Sequence, residues 1–238
     1  MNIVLFEPNE TLLPLARSDR RAGHVLEVLR CGVGDVFDAG MIDGPRGKAT
    51  VAGVDSEALR LEFVWGEPPP QLDPIALIVG LPRPQTARKI LDEATALGVA
   101  AMDFVASDRG EASYARSKLW TTDEWRRHLV DGASQAFSTR IPAVTSGRAL
   151  KEVLDNVSAG ACRLALDNYE ASGPLTDAVL QPPVVLALGP ERGWSAGERD
   201  LLRARGFELV HLGERVLRVE TACVAAVALV KARLGLFS

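Results

Sequence analysis

The sequence predicts a two-part α/β protein, with a small β-rich domain over residues 1–68 and a mostly parallel, helix-covered sheet over residues 69–238. Three observations carry this reading. Pro68, Pro69, Pro70 and Pro74 remove backbone donors and hold the chain extended, which suits a short stiff linker. Before them, short β-branched and apolar runs are separated by turn residues. After them, strand-like and helix-like patterns alternate, the signature of a parallel sheet with helices on both faces.

In the first part, Ala22, Val25, Leu26 and Leu29 fall at helical spacing and predict a helix over 19–29. Val36 to Ala39, Lys48 to Val54 and Leu59 to Val64 read as strands, and Asp43-Gly44 and Arg46-Gly47 mark the turns between the first two. A small β-barrel carrying one helix follows. In the second part, Ile75 to Leu81 is a continuous apolar run, as for a strand buried on both faces. Ile90, Ala94 and Leu97 then form one stripe of a helix over 86–97, stopped by Gly98. Met102 to Ala106 reads as a strand, and Thr121 with Glu124 reads as a capping box opening a helix. Cys162 to Leu166, Val184 to Leu188 and Phe207 to Leu212 are further strands. Ser195 with Glu198 is a second capping box, for a helix ending at Gly206, and a last helix runs over 221–234 to Gly235.

The 238 residues carry 47% hydrophobic and 24% charged residues, an ordinary globular composition. No apolar run is long enough to cross a bilayer, and the start shows no signal-peptide pattern, so the cytoplasm is the expected location and no membrane partner is expected. A net charge of −4 excludes a protein coated in basic charge but leaves room for a local basic face. Cys31, Cys162 and Cys223 have neither metal-ligand spacing nor an even count; core thiols are expected, and no metal.

Two segments carry chemistry. Leu186 to Ser195 reads LALGPERGWS, a buried strand running into a glycine-bearing turn and a capped helix. Ligands in open α/β sheets bind at the carboxyl ends of strands, where glycine lets backbone approach them. The turn lacks dinucleotide spacing and the lysine of a phosphate loop. Gly213 to Thr221 reads GERVLRVET, again leading from a strand into a helix, so two strand ends could wall one pocket.

Taken together, Gly189, Pro190, Glu191, Gly193, Trp194 and Ser195, followed by Leu212, Gly213, Arg215, Leu217, Arg218, Glu220, Thr221 and Ala222, resemble the cofactor-binding signature of the RsmE family. Those are SPOUT-class methyltransferases acting on N3 of a uridine in small-subunit ribosomal RNA. Leu81-Pro82, Lys89 to Leu91 and Ala94 to Val99 resemble the entry to the family's catalytic domain, and His24 to Arg30 with Gly34-Asp35 resembles its N-terminal domain. Two departures stand out. Arg192 occupies the place of a second glycine, and after Ser134-Gln135 the family's arginine is displaced to Arg140.

The resemblance implies a SPOUT-type trefoil-knotted, mostly parallel sheet behind a PUA-like β-barrel, working as a homodimer on ribosomal RNA or the small ribosomal subunit. It implies S-adenosyl-L-methionine as cofactor, held by Leu81, Leu188, Gly189, Pro190, Glu191, Gly193, Leu212, Gly213, Val216, Leu217 and Thr221. Arg218 and then Arg215 are the candidates for stabilising charge on the reacting base, with Glu220 or Glu191 orienting an arginine or accepting a proton. Arg17, Arg20, Arg21, His24 and Arg30, with Arg109 and Arg140, are the candidate RNA contacts. His128, His211, Trp120 and Trp125 are expected to be structural. A related methyltransferase with another RNA target, or a catalytically silent RNA-binding protein, would carry much of the same sequence.

Overall fold

The computed structural model describes residues 2–237. The chain divides into two compact units, one comprising Met1–Gln71 with Val130–Ile141 and the other Leu72–Leu129 with Pro142–Ser238.

The first unit is built on a five-stranded sheet. Its elements are β1 (Val4–Phe6), β2 (Leu15–Ala16), α1 (Arg20–Gly23), β3 (Val36–Met41), β4 (Arg46–Val54) and β5 (Ala58–Trp65), in the sheet order β1-β3-β4-β5-β2. β1 runs parallel to β3 and the other pairs are antiparallel. The alternation of β1 explains its all-buried pattern: Val4 and Phe6 join a core with Val25, Phe37 and Leu59, while Leu5 points to the other face and packs with Ile3, Ile42 and Ala133. Ala133 belongs to the returning segment. Gly40 makes room for that return, because a Cβ there would stand 2.5 Å from Thr139 Cγ2 and 2.8 Å from Leu5 Cδ2. Thr139 is buried, donates from Oγ1 to the Gly44 carbonyl at 2.6 Å and accepts from the Asp43 N–H at 2.8 Å.

The expected helix over 19–29 is a short α-helical turn that continues as a π-helical turn over His24–Val28, with Asp19 as its N-cap. Arg21 holds this corner. Its guanidinium donates to both oxygens of Glu10, to both of Asp19 and to the Leu5 carbonyl, and stands 5.1 Å from the centre of the Phe6 ring. Arg21 hydrogen bonds hold the Glu10 and Asp19 carboxyls below their usual values against the opposing effect of burial. Groups with depressed folded values contribute stability above their unfolded values, about pH 4, and lose it as pH falls through the folded ones. The urea midpoint is therefore expected to fall on acidification below about pH 4 more steeply in the wild type than in Arg21→Met. Parallel pH profiles for the two proteins would contradict this role of Arg21.

The second unit contains β6 (Asp73–Gly80), α2 (Pro84–Ala96), β7 (Val99–Ala106), α3 (Lys118–Thr121), α4 (Glu124–Gln135), β8 (Ala143–Ala149), α5 (Leu150–Asp155), β9 (Cys162–Leu166), β10 (Gly173–Pro174), β11 (Val184–Leu188), α6 (Ala196–Ala204), β12 (Glu208–His211) and α7 (Val219–Leu234). Residues 130–135 of α4 count with the first unit. The seven strands lie in the order β10-β12-β9-β11-β6-β7-β8, and every pairing is parallel. From β6 the chain runs outward through β7 to β8, then crosses to β9 and fills the gap with β11. The order reverses there, and such a switch leaves a crevice at the carboxyl ends of the central strands. All five residues of β11 are buried, as expected for the centre of a parallel sheet. Helix α7 ends at Gly235 in the left-handed region, and its Lys231 pairs with Asp73 at 2.6 Å and donates to the Leu97 carbonyl.

The capping box expected at Thr121 and Glu124 does not form. Thr121 closes α3 and its hydroxyl donates back to the Ser117 carbonyl, while the Glu124 carboxylate pairs with Arg88. The box at Ser195 and Glu198 forms with both bonds present. Of the cysteines, only Cys223 lies wholly in the core, where burial pushes its thiol up to about 12; Cys31 and Cys162 are half-buried. Trp120 packs on Phe104, His128 Nδ1 bonds Asp92, and His211 Nδ1 accepts from the Gly213 N–H. Among the described residues, no helix is long and apolar enough to cross a membrane.

Candidate active site

Four segments at the carboxyl edge of the second sheet enclose a cavity of about 650 Å³, within the range of small-ligand sites. The first is the turn after β11. Leu188 forms floor, and Gly189, Pro190, Glu191, Arg192 and Gly193 form wall. The turn folds tightly on itself: a Cβ on Gly189 would stand 2.9 Å from the backbone of Gly193 and Trp194, and Gly193 has φ +66°. Gly80 at the end of β6 is equally constrained, since its Cβ would stand 2.5 Å from Pro190 Cδ. Beyond the turn, Trp194 is fully buried among Val105, Ala187 and Leu202 and anchors it to the core. Ser195 caps α6, its hydroxyl bonds Asp108, and the buried Glu198 accepts from the Ser195 and Asp108 N–H groups.

The second wall is the segment from Leu212 to α7. Leu212, Arg215, Val216, Leu217, Arg218, Val219, Glu220 and Ala222 line the cavity. Arg218 is the N-cap residue of α7, and its carbonyl accepts from the Ala222 N–H at 2.8 Å. The third wall, Leu166 to Tyr169, follows β9, and the fourth is Arg83, Gln85, Thr86 and Lys89 at the start of α2. Neither was foreseen from the sequence, although both follow the carboxyl ends of parallel strands, where the search for ligand residues belongs.

The charges of this site sort into paired and unpaired groups. Glu191 Oε1 accepts from Arg83 N at 3.0 Å and Nε at 3.1 Å, so it ties the β11 turn to the start of α2. Glu220 pairs with Lys89 at 3.1 Å. Burial pushes the Glu220 carboxyl up, but its own backbone N–H, Lys89 and the nearby Arg218 charge outweigh this and leave it below the usual carboxylate range. Asp167 pairs with Arg199 at 2.7 Å in the interior. Among the described residues, no ion pair or hydrogen bond engages the side chains of Arg192, Arg215 or Arg218. The cavity thus combines leucine side chains with three exposed guanidinium groups that make no ion pair or hydrogen bond, among the described residues.

The structure brings eleven of the fourteen candidate catalytic and cofactor residues to this cavity: Arg215, Arg218, Glu220, Leu188, Gly189, Pro190, Glu191, Gly193, Leu212, Val216 and Leu217. Leu81 is buried just beyond β6, while Gly213 and Thr221 flank the second wall without lining it. The candidate RNA residues scatter more widely. Arg20 is exposed but paired with Asp131 at 2.5 Å. Arg21 is consumed by Glu10 and Asp19, a structural cation rather than a free phosphate ligand. Arg17 and Arg30 are exposed, and His24 and Arg140 are half-buried. Arg109 lies in the second unit and donates to the Arg192 carbonyl at 3.0 Å.

The model of a family described as an RNA methyltransferase domain matches residues 68–231. A Treponema pallidum protein named ribosomal RNA small subunit methyltransferase E is 34% identical over 98% of this chain and 91% of its own length. Ribosomal RNA small subunit methyltransferase E 1 of Borreliella burgdorferi is 27% identical over 95% of both chains. The crystal structure of a ribosomal RNA small subunit methyltransferase E from Neisseria gonorrhoeae, bound to S-adenosyl methionine, matches with a TM-score of 0.76 at 24% identity over 98% of both chains. A putative Legionella pneumophila methyltransferase, also with bound cofactor, matches at 0.82 and 22% identity over 98% of both. At these identities the structural likeness shows a shared fold.

Proposed function

The chain belongs to the RNA methyltransferase domain family, and on that premise we propose that it transfers a methyl group from S-adenosyl-L-methionine to N3 of a uridine in small-subunit ribosomal RNA. It is an S-adenosylmethionine-dependent RNA methyltransferase; the base, the atom and the residue roles are the proposal. The observation that carries them is the rim of the cavity, where Arg218 and Arg215 stand uncommitted over an apolar floor.

The residues present fit the cofactor. Leu188, Leu212 and Leu217 offer apolar surface for an adenine, and the tight turn at Gly189 exposes backbone for polar contact. When bound, S-adenosylmethionine supplies a methyl group on positively charged sulfur. The protein's task is alignment and charge stabilisation. N3 of uracil is a poor nucleophile while it keeps its proton. Loss of that proton to solvent, before N3 takes the methyl group, spreads negative charge over the two flanking carbonyl oxygens. A guanidinium presents a planar fork of donors to such oxygens, and Arg218 takes this role with Arg215 beside it. Glu220, held ionised with Lys89 next to Arg218, suits orienting that arginine better than holding the N3 proton. Glu191 organises the turn through Arg83. The same reading includes a trefoil knot in the second unit, a PUA-like first unit and a homodimer.

Calorimetric titration of S-adenosylmethionine into the purified protein is expected to show one saturable site. A folded sample that gives no saturable heat, with or without ribosomal RNA present, would contradict the assignment of this cavity.

A further inference from the structure

Tyr169 stands at the mouth of the cavity with 76% of its surface exposed, yet a buried ion pair fixes the loop that carries it. Asp167, just after β9, accepts from the N–H groups of Tyr169 at 2.8 Å and Glu170 at 2.7 Å through Oδ1, and from Arg199 Nε at 2.7 Å through Oδ2. The side chains of Arg199 and Asp167 are only 7% and 2% exposed. Arg199 also bonds Glu170 at 3.2 Å, and its guanidinium stands 5.2 Å from the centre of the Tyr169 ring. Across the mouth, the ring edge reaches the opposite turn, where a Gly193 Cβ would stand 4.0 Å from Tyr169 Cε2.

Taking an ion pair out of water is costly and is repaid only by good geometry and further hydrogen bonds. Here what that geometry positions is an exposed loop and its ring, not an apolar core. A rigidly held aromatic surface beside a cavity, among uncommitted guanidinium groups, is suited to a nucleic-acid base: the ring stacks on the base and the cations attract the flanking phosphates. Arg192, Arg215 and Arg218 supply those cations around the same mouth. We infer that Tyr169 is the stacking platform for the target base once it leaves its helix, and that Asp167, Arg199 and Glu170 are positioning residues for that ring. Stacking is tolerant of base identity, so Tyr169 holds the base while Arg218 reads its edge. The inference rests on the methyltransferase reading.

The test compares wild type, Tyr169→Phe and Tyr169→Ala for affinity toward S-adenosylmethionine, affinity toward unmethylated small-subunit ribosomal RNA, and methyl transfer. Tyr169→Phe, which keeps the ring, is expected to retain RNA affinity. Tyr169→Ala is expected to bind the RNA on the order of tenfold more weakly, with a matching rise in KM for RNA and an unchanged cofactor affinity and melting temperature. Equal RNA affinity in the alanine variant overturns the platform. A loss that appears in cofactor affinity instead moves the ring to the cofactor pocket and also overturns it. Absence of methyl transfer by the wild type sinks the methyltransferase reading alone, because the ratio of RNA affinities still decides Tyr169.

Discussion

Replacing Arg218 by alanine is expected to lower kcat for methyl transfer by about 10²- to 10³-fold, the loss seen when a donor aimed at developing charge is removed. Negative charge on the uracil oxygens grows as the N3 proton leaves, so the guanidinium acts more strongly on the reacting state than on the bound base, and the loss falls on kcat rather than on KM. The fold should survive, since Arg218 caps α7 through its carbonyl and its exposed side chain makes no capping bond. Cofactor affinity should be close to wild type. Arg218→Lys keeps the charge but loses the fork, and should fall between the two. Turnover by the alanine variant within a few-fold of wild type would remove Arg218 from the mechanism.

The largest expected loss of stability is at Arg199. Arg199→Met removes the cation from a buried pair, together with its contact to Glu170, and leaves the Asp167 carboxylate with two backbone N–H donors but no counter-charge. Breaking a buried pair from one side costs about 3–5 kcal/mol, which for a chain of this size lowers Tm by roughly 6–20 °C. The double variant Asp167→Asn with Arg199→Met carries no stranded charge and keeps an oxygen acceptor for the loop, so it should be more stable than Arg199→Met alone. A single variant that melts within about 2 °C of wild type would show that the pair adds nothing, and a double variant less stable than the single one would assign the loss to packing.

Much of the second unit was legible because its signals are local. A fully apolar run such as Val184 to Leu188 reads as a central parallel strand, and Ser195 with Glu198 fixes the start of α6 within four residues. The two glycine-bearing turns were legible as cavity walls for the same reason, since the need for glycine at 189 is set by backbone only four residues away. What was missed depends on distance along the chain. Val130–Ile141 joins the first unit by packing Ala133 against β1 and Thr139 against Gly40, partners about a hundred residues away, and no local pattern in 130–141 announces it. Arg20 and Arg21 look like a free basic face until Asp131, Glu10 and Asp19 are brought to them. The wall at Asp167 to Tyr169 carries no glycine signature, and the role of its aspartate is visible only once Arg199 arrives from α6. Thr121 and Glu124 had the spacing of a capping box, but Arg88 from α2 competes for the glutamate.

The central claim is the chemistry at the arginine rim. It is tested most directly by incubating the protein with S-adenosylmethionine carrying an isotopically labelled methyl group and unmethylated small ribosomal subunits, then digesting the ribosomal RNA to nucleosides and identifying the labelled one by mass spectrometry. The account predicts one labelled nucleoside, 3-methyluridine, from wild type and its near-absence from Arg218→Ala. Label on another base or on a ribose would contradict the proposed target atom, and no label from wild type would contradict the proposed reaction on this RNA.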